Sequence, residues 1–125
     1  MLQQAKLVGF VATANADRAK LFYRDVLGLE LRADTPFALV FNLNGNALRV
    51  SKVAKVMESA YTVLGWEVAD IVMTARQLSE RGIKFERFRG MDQDDFGIWR
   101  TPDGSQVAWF RDPDGNLLSI GQHAP

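Results

Sequence analysis

The sequence predicts an α+β fold made of two copies of one strand–helix–three-strand unit. Each half contains a predicted amphipathic helix that ends at a glycine, and these glycines, Gly28 and Gly82, are 54 residues apart. Each half also contains a turn with an Asx-Gly pair followed by an alternating strand, and the turn glycines Gly45 and Gly115 are 70 residues apart. Because the helix end and the final hairpin recur in the same order, we interpret the chain as an internal repeat.

The first half begins with a β-rich, mostly apolar segment at Lys6–Thr13, which is typical of a strand. Asn15 or Asp17 can cap the following helix, Ala16–Leu27, whose apolar residues recur every three or four positions until Gly28. The three strands predicted after this helix are Leu29–Arg32, Phe37–Leu43 and Ala47–Ser51.

The second half repeats this pattern after a connecting segment, residues 52–60, that has no clear period. Asp70 is the predicted cap of the second helix, whose inward residues are expected to be Val72, Met73, Ala75, Arg76, Leu78 and Ser79. The predicted strands are Tyr61–Val68 before the helix, then Ile83–Phe88, Gly97–Arg100, Gln106–Phe110 and the end of the Asp112–Ile120 hairpin. The second half therefore carries one extra predicted hairpin, around Gly97–Ser105.

The composition excludes several classes of function. The 125 residues include 15 Lys and Arg against 15 Asp and Glu, so the formal net charge is zero and nothing favours binding to nucleic acid or to an anionic membrane. There is no cysteine, which excludes disulfides, thiolate nucleophiles and Cys-ligated zinc. Since no apolar stretch is long enough to cross a bilayer, a soluble cytoplasmic protein is the expectation.

Two motifs carry a resemblance to a known family. The segment Phe22-Tyr23-Arg24-Asp25-Val26-Leu27-Gly28-Leu29 and the hairpin Asp112-Pro113-Asp114-Gly115-Asn116, in this order, resemble the vicinal oxygen chelate superfamily. That superfamily includes glyoxalase I (lactoylglutathione lyase), extradiol dioxygenases and bleomycin resistance proteins. The resemblance implies a single glyoxalase-like domain of two βαβββ modules, residues 5–51 and 61–121 joined by 52–60. It further implies a curved sheet around a cup, and a homodimer.

The resemblance also indicates where a metal would bind. Metalloenzymes of the family hold a divalent cation with one side chain from the first strand and one from the last strand of each module. The matching positions here are Val8, Arg49, Val63 and Ser119. Valine has no lone pair, serine is a poor neutral ligand, and arginine carries a fixed positive charge. We therefore expect no metal and no other cofactor.

Without a metal, the cup is expected to bind a small organic molecule, anionic or aromatic. Arg49 is a permanently charged fork suited to a carboxylate or phosphate, with pairing to Glu67 as the alternative. Trp66, Trp99 and Trp109 are expected in a pocket wall or a dimer seam because a buried indole N–H needs a partner. Together with Ser119, these residues form the predicted ligand site.

An enzymatic alternative stays open. A lyase or isomerase could use a side-chain carboxylate in place of a metal, or ligands that the pattern does not reveal, and Glu67 is the candidate base. The sole histidine, His123, lies beyond the last strand and is interpreted as a solvated tail residue. Reversible sequestration, as in proteins of the bleomycin resistance type, needs no catalytic residue and is the preferred hypothesis.

Overall fold

A computed structural model describes all residues from Met1 to Pro125 and divides them into two compact units. The first unit comprises Met1–Glu58 together with the short turn Pro113–Gly115. The second comprises Ser59–Asp112 and Asn116–Pro125. No helix is long and apolar enough to cross a membrane.

The first unit is built on a four-stranded sheet with the order β1-β4-β3-β2. Strands β1 and β4 are parallel, whereas β4, β3 and β2 are antiparallel neighbours. The strand bounds are β1 Val8–Thr13, β2 Glu30–Asp34, β3 Ala38–Leu43 and β4 Asn46–Lys52. A short 3₁₀ turn, Leu2–Gln4, precedes β1.

The second unit repeats this arrangement with the order β5-β8-β7-β6. Its strands are β5 Leu64–Glu67, β6 Trp99–Arg100, β7 Gln106–Arg111 and β8 Leu117–Gln122, and helix α2 spans Ile71–Glu80. The strand register supports the repeat. In the first sheet Gly9 of β1 pairs with Leu48 of β4, and in the second sheet Leu64 of β5 pairs with Leu118 of β8, the residue 70 positions after Leu48. The predicted α+β class with two βαβββ modules is confirmed.

The first helix differs from the prediction in its second half. Asn15 caps α1, Ala16–Lys20, by accepting a hydrogen bond from the backbone N–H of Arg18. The chain then continues as a π-helical turn over Leu21–Val26. This turn buries Phe22 and Tyr23, whose rings meet edge to face, and Gly28 follows with the positive φ expected of a helix-ending glycine. The π-helical turn, which is wider than an α-helical one, therefore places both aromatic side chains in the core.

Three details of the second unit were predicted wrongly. Ile83–Phe88 forms no strand, although the Glu86 N–H donates to the carbonyl of Trp109 beside β7. Only three strands follow α2, as in the first unit, so the antiparallel pair β6–β7 is not an extra hairpin. The residues that make the second unit longer than the first lie in the irregular segment before the two-residue strand β6. Helix α2 buries Ile71 and Ala75 but leaves Val72 and Met73 exposed at 38% and 55%, so its inward face is narrower than predicted.

Candidate ligand site on the second sheet

The second sheet has one face covered by α2 and one face free of helix. Ala108, Phe110, Leu118 and Ile120 are buried, and they lie on the covered face with Ile71 of the helix. Successive side chains of a strand point to opposite faces. The residues between them, on the helix-free face, are Val107, Trp109, Ser119 and Gly121.

A cleft of about 290 Å³ lies on this helix-free face. It is lined by residues of three neighbouring strands and of the tail that follows β8: Gly65, Trp66, Glu67, Val107, Ser119, Gly121 and His123. A shallower depression beside it is lined by Thr101, Pro102, Asp103, Ser105 and Ala124, and both are bordered by Val107 and His123. His123 therefore stands at the junction of the two.

Two glycines leave the floor of the cleft bare. Gly65 and Ser119 are register partners, and a Cβ on Gly65 would lie only 2.6 Å from the Ser119 Oγ. A Cβ on Gly121 would meet nothing closer than the Gln106 carbonyl oxygen at 3.6 Å, an ordinary contact. The Ser119 hydroxyl is half-buried and has no hydrogen-bond partner in the chain. The floor thus offers open backbone and one available polar group.

Aromatic side chains cluster on the same face of the sheet. The Trp109 and Trp99 ring centroids are 6.2 Å apart, and the Phe88 ring meets Trp109 edge to face at 5.4 Å. The Trp109 indole Nε1 donates to the Thr62 hydroxyl over 3.0 Å, which satisfies its one polar atom. The three rings form an apolar aromatic cluster on this face.

A carboxylate and an imidazole form the polar part of the lining. Glu67 is the last residue of β5, and its register partner is Gly121. Its Oε1 lies 3.1 Å from Nδ1 of His123, with the two side chains 66% and 74% exposed. Glu67 is therefore paired with His123 and not with Arg49, which was the alternative raised for that arginine.

Comparison with known proteins identifies the family. A profile of the Glyoxalase/Bleomycin resistance protein/Dioxygenase superfamily matches residues 6–120. The chain belongs to this superfamily. No curated protein matches the chain at a significant level.

Solved structures of this superfamily share the fold. The antibiotic binding protein TnmS3 from Streptomyces sp. CB03234 is 24% identical, with a TM-score of 0.76 and coverage of 99% of both chains. Lactoylglutathione lyase from Agrobacterium tumefaciens is 20% identical, with a TM-score of 0.74 over 95% of this chain and 93% of that one. A glyoxalase family protein from Enterococcus faecalis is 22% identical, with a TM-score of 0.70 over 97% and 99%.

The side chains at the four positions matched to the superfamily's metal site do not fit a divalent cation. Val8 and Val63 offer only hydrocarbon, and Arg49 offers only N–H donors. The chain contains no group of three or more His, Cys, Asp or Glu side chains that could hold a metal ion. Glu67 and His123 are adjacent, but two ligands alone do not make a protein metal site.

The other predicted site residues are placed as follows. Ser119, Trp99 and Trp109 share the helix-free face of the second sheet. Trp66 borders the cleft, but its ring stacks on the buried Phe110 with an interplanar angle of 18°, so the indole lies mainly on the helix-covered side. Contact of these residues with a ligand stays a prediction.

Arg49 lies in the first unit, on the sheet face away from its core. It is the register partner of Phe10, whereas the buried side chains of that sheet, Val11, Leu48 and Val50, occupy the alternate positions. Its guanidinium is half-buried and has no ion pair or hydrogen bond in the chain. Contact of Arg49 with an anion therefore stays a prediction.

Two parts of the site were not recognised from the sequence. His123 was interpreted as a solvated tail residue, and Gly65 and Gly121 were not considered at all. The sequence held a signal for Gly121 and His123, because Ser119, Gly121 and His123 follow the two-residue period of β8 past the end of the strand. Extending that period predicts that all three lie on one face of the sheet.

Proposed function

We propose that this superfamily member binds a small organic molecule in the cleft on the helix-free face of its second sheet, without a metal. The observation that carries the proposal is the composition of the cleft itself. It combines a bare floor at Gly65 and Gly121, an available hydroxyl at Ser119, and a paired carboxylate and imidazole. Protein ligand sites commonly join an apolar surface to a few convergent polar groups in this way.

The size of the cleft limits the ligand. Pockets for drug-sized molecules are about 300–1,000 Å³, and the cleft of about 290 Å³ lies at the lower end of that range. A molecule of one or two fused rings fits such a volume. The neighbouring indoles of Trp99 and Trp109 favour a ligand with a flat apolar portion.

The proposal that no metal takes part rests on donor chemistry. A divalent ion needs imidazole nitrogens or carboxylate oxygens converging on one point. The matched positions Val8, Val63 and Arg49 supply neither kind of donor, and Ser119 supplies only a neutral hydroxyl. TnmS3, with the same fold, is described as an antibiotic binding protein, and sequestration of this kind requires no catalytic group.

An enzymatic role is the second candidate, and one observation favours it. Glu67 and His123 are within hydrogen-bonding distance at the edge of the cleft, an arrangement that can accept a proton from a bound molecule. A protein with this fold, lactoylglutathione lyase from Agrobacterium tumefaciens, is named as an enzyme. Turnover of a bound ligand that is lost in Glu67→Gln would support this role over simple binding.

Thermal unfolding in the presence of small molecules tests the proposal. A ligand that binds only the native state raises the melting temperature by mass action. We expect stabilisation by bicyclic aromatic compounds in wild type and a smaller effect in Gly121→Ala, whose methyl group projects into the cleft without a clash. Equal stabilisation of both proteins would place the ligand elsewhere and refute the assignment of the cleft.

We also propose that the protein forms a homodimer, in line with the resemblance. Several apolar side chains of the first unit are exposed, among them Val8, Phe10 and Phe37, with Phe10 exposed at 59%. Exposed apolar side chains become buried when two copies associate, which favours a dimer. Light scattering coupled to size-exclusion chromatography should give twice the mass of the 14.0 kDa chain, and the monomer mass would refute the proposal.

A further inference from the structure

The contact between Glu67 and His123 fixes the protonation of the imidazole. An ionised carboxylate can only accept hydrogen bonds, so the imidazole nitrogen that faces it must carry the proton. Nδ1 of His123 lies 3.1 Å from the Glu67 Oε1 and is therefore the N–H of the neutral ring. The lone pair of the neutral ring is consequently on Nε2.

Nε2 of His123 has no hydrogen-bond partner in the chain, although the residue lines the cleft. The other polar group there, the Ser119 hydroxyl, is four positions earlier, which corresponds to about 13 Å along an extended strand. Gly121 lies between them and carries no side chain. A flat ligand over Gly121 can therefore present one polar group to His123.

Glu67 fixes the orientation of this acceptor. A carboxylate that bonds one imidazole nitrogen holds the ring in one tautomer and one orientation. The lone pair on Nε2 can accept a hydrogen bond from the O–H of a ligand, whereas an ether has no proton to donate. The pair thus favours a hydroxyl over an ether.

We propose that Nε2 of His123, oriented by Glu67, is the hydrogen-bond acceptor of the cleft and selects aromatic ligands that carry a phenol-type hydroxyl. The inference rests on the proposed function, because it names the class of ligand for the same cleft. Glu67 acts through His123 and is a positioning residue. The neighbouring, mutually tilted rings of Trp99 and Trp109 on the same face supply the apolar surface for the aromatic part.

Two probes that differ only in the donor test the inference. Binding of 2-naphthol and of its methyl ether, 2-methoxynaphthalene, is measured by quenching of tryptophan fluorescence at pH 8. Wild type should bind 2-naphthol about three- to tenfold more tightly than the ether, the range expected for one hydrogen bond. In His123→Phe the two probes should bind equally.

A spectroscopic measurement tests the role of Glu67 separately. His123 is the only histidine, so its imidazole gives a single set of ¹⁵N signals. At pH 8 we expect a protonated Nδ1 in wild type and a shift toward protonated Nε2 in Glu67→Gln, whose amide can donate as well as accept. Glu80→Gln, an exposed change on α2, is the matched control and should leave both the spectrum and the probe preference unchanged.

The possible failures are distinguishable. If both probes bind wild type equally at pH 8, or if Nε2 carries the proton there, the inference is overturned while the proposed function stands. If neither probe binds at millimolar concentration, both are overturned. A fluorescence response that is the same in wild type and His123→Phe shows a ligand held without the imidazole and also overturns the inference.

Discussion

Asp114 Oδ1 accepts a hydrogen bond from the backbone N–H of Ala14 over 3.0 Å, although the two residues are 100 positions apart. Arg18 Nη2 lies 3.7 Å from the same oxygen, and the Asp114 side chain is only 3% exposed. The turn Pro113–Gly115 belongs to the first unit through contacts of this kind. The aspartate of the Asp-Pro-Asp-Gly-Asn motif therefore anchors the chain just before α1, which the sequence alone did not reveal.

Removal of this anchor should destabilise the protein. Asp114→Ala deletes the acceptor for the Ala14 N–H and leaves a void at a buried position. We expect the free energy of unfolding to fall by about 1 kcal/mol, the usual net contribution of one hydrogen bond. Urea denaturation followed by circular dichroism measures this change.

Asp95→Ala is the control, because Asp95 is exposed in the irregular segment before β6. Its free energy of unfolding should stay within about 0.5 kcal/mol of wild type. Equal stability of Asp114→Ala and Asp95→Ala would contradict the anchoring role.

Asp34 should contribute to stability only above a defined pH. Its carboxylate contacts Nζ of Lys20 and Nζ of Lys52, each at 2.6 Å, and these hydrogen bonds lower the pKa of Asp34 to about 2. A lowered pKa in the folded state stabilises the fold above the unfolded value of about 3.9. That contribution is lost as the pH falls from about 4 toward 2.

The difference in melting temperature between wild type and Asp34→Asn measures this dependence. It should be largest near neutral pH, narrow between about pH 4 and pH 2, and shrink in high salt because the groups are partly exposed. Glu30→Gln, which removes an exposed pair with Arg32, is the matched control and should have little effect at any pH. A gap that stays constant down to pH 2 would show that Asp34 is not held in its charged form.

Alanine substitutions at two glycines with positive φ distinguish the cost of backbone strain from the cost of a steric clash of the new Cβ. Gly45 and Gly115 have φ of +86° and +87°, but an added Cβ meets nothing within 4 Å at Gly45 and lies 2.9 Å from the Glu58 Cγ at Gly115. Both alanine variants should lose about 1–2 kcal/mol from backbone strain. Gly115→Ala should lose more, and the additional Glu58→Ala change should restore it to the level of Gly45→Ala.

The two glycines of the cleft should behave differently from each other. Gly65→Ala forces the Ser119 hydroxyl aside, since the new Cβ would lie 2.6 Å from its Oγ, whereas Gly121→Ala makes only ordinary contacts. We expect a lower melting temperature for Gly65→Ala, rescue by Ser119→Ala, and wild-type stability for Gly121→Ala. Failure of the Ser119→Ala change to rescue Gly65→Ala would show that the close contact is not the cause.

Local sequence signals predicted the helix caps and the turn glycines correctly. Asn15 and Asp70 cap the two helices, and Gly28, Gly82 and Gly115 adopt the positive φ that their positions suggested. These features depend on a few neighbouring residues and on backbone geometry alone. The repeat followed from them, because the same caps and turns occur in both halves.

Features that depend on tertiary contacts were predicted less well. The segment Ile83–Phe88 alternates like a strand, but it forms none, although the Glu86 N–H donates to the Trp109 carbonyl of β7. The Gln93 side chain satisfies backbone polar groups in this region. Its amide nitrogen donates to the carbonyls of Glu86 and Gly97, and its amide oxygen accepts from the N–H of Phe88. A side-chain amide thus replaces a strand partner, and periodicity does not reveal such a substitution.

The candidate site shows the same limit. The sequence named Ser119 and Trp109 as site residues, and they are register partners in the structure. The pairing of Glu67 with His123 depends on the path of the tail after β8, which no local pattern predicts. Trp66 was expected in a pocket wall or a dimer seam; it borders the cleft, while its ring stacks on Phe110. Strand β5 has only four residues, and their sequence shows no clear alternation that would predict which side chains point to which face of the sheet.

Calorimetric titration of 2-naphthol into protein treated with EDTA tests the central claim most directly. The account predicts binding of one molecule per chain, unchanged when Zn²⁺, Ni²⁺ or Mn²⁺ is added in excess of the chelator, because the cleft supplies every contact itself. Binding heat that appears only after one of these ions is added would contradict the account and assign the chain a metal-dependent site.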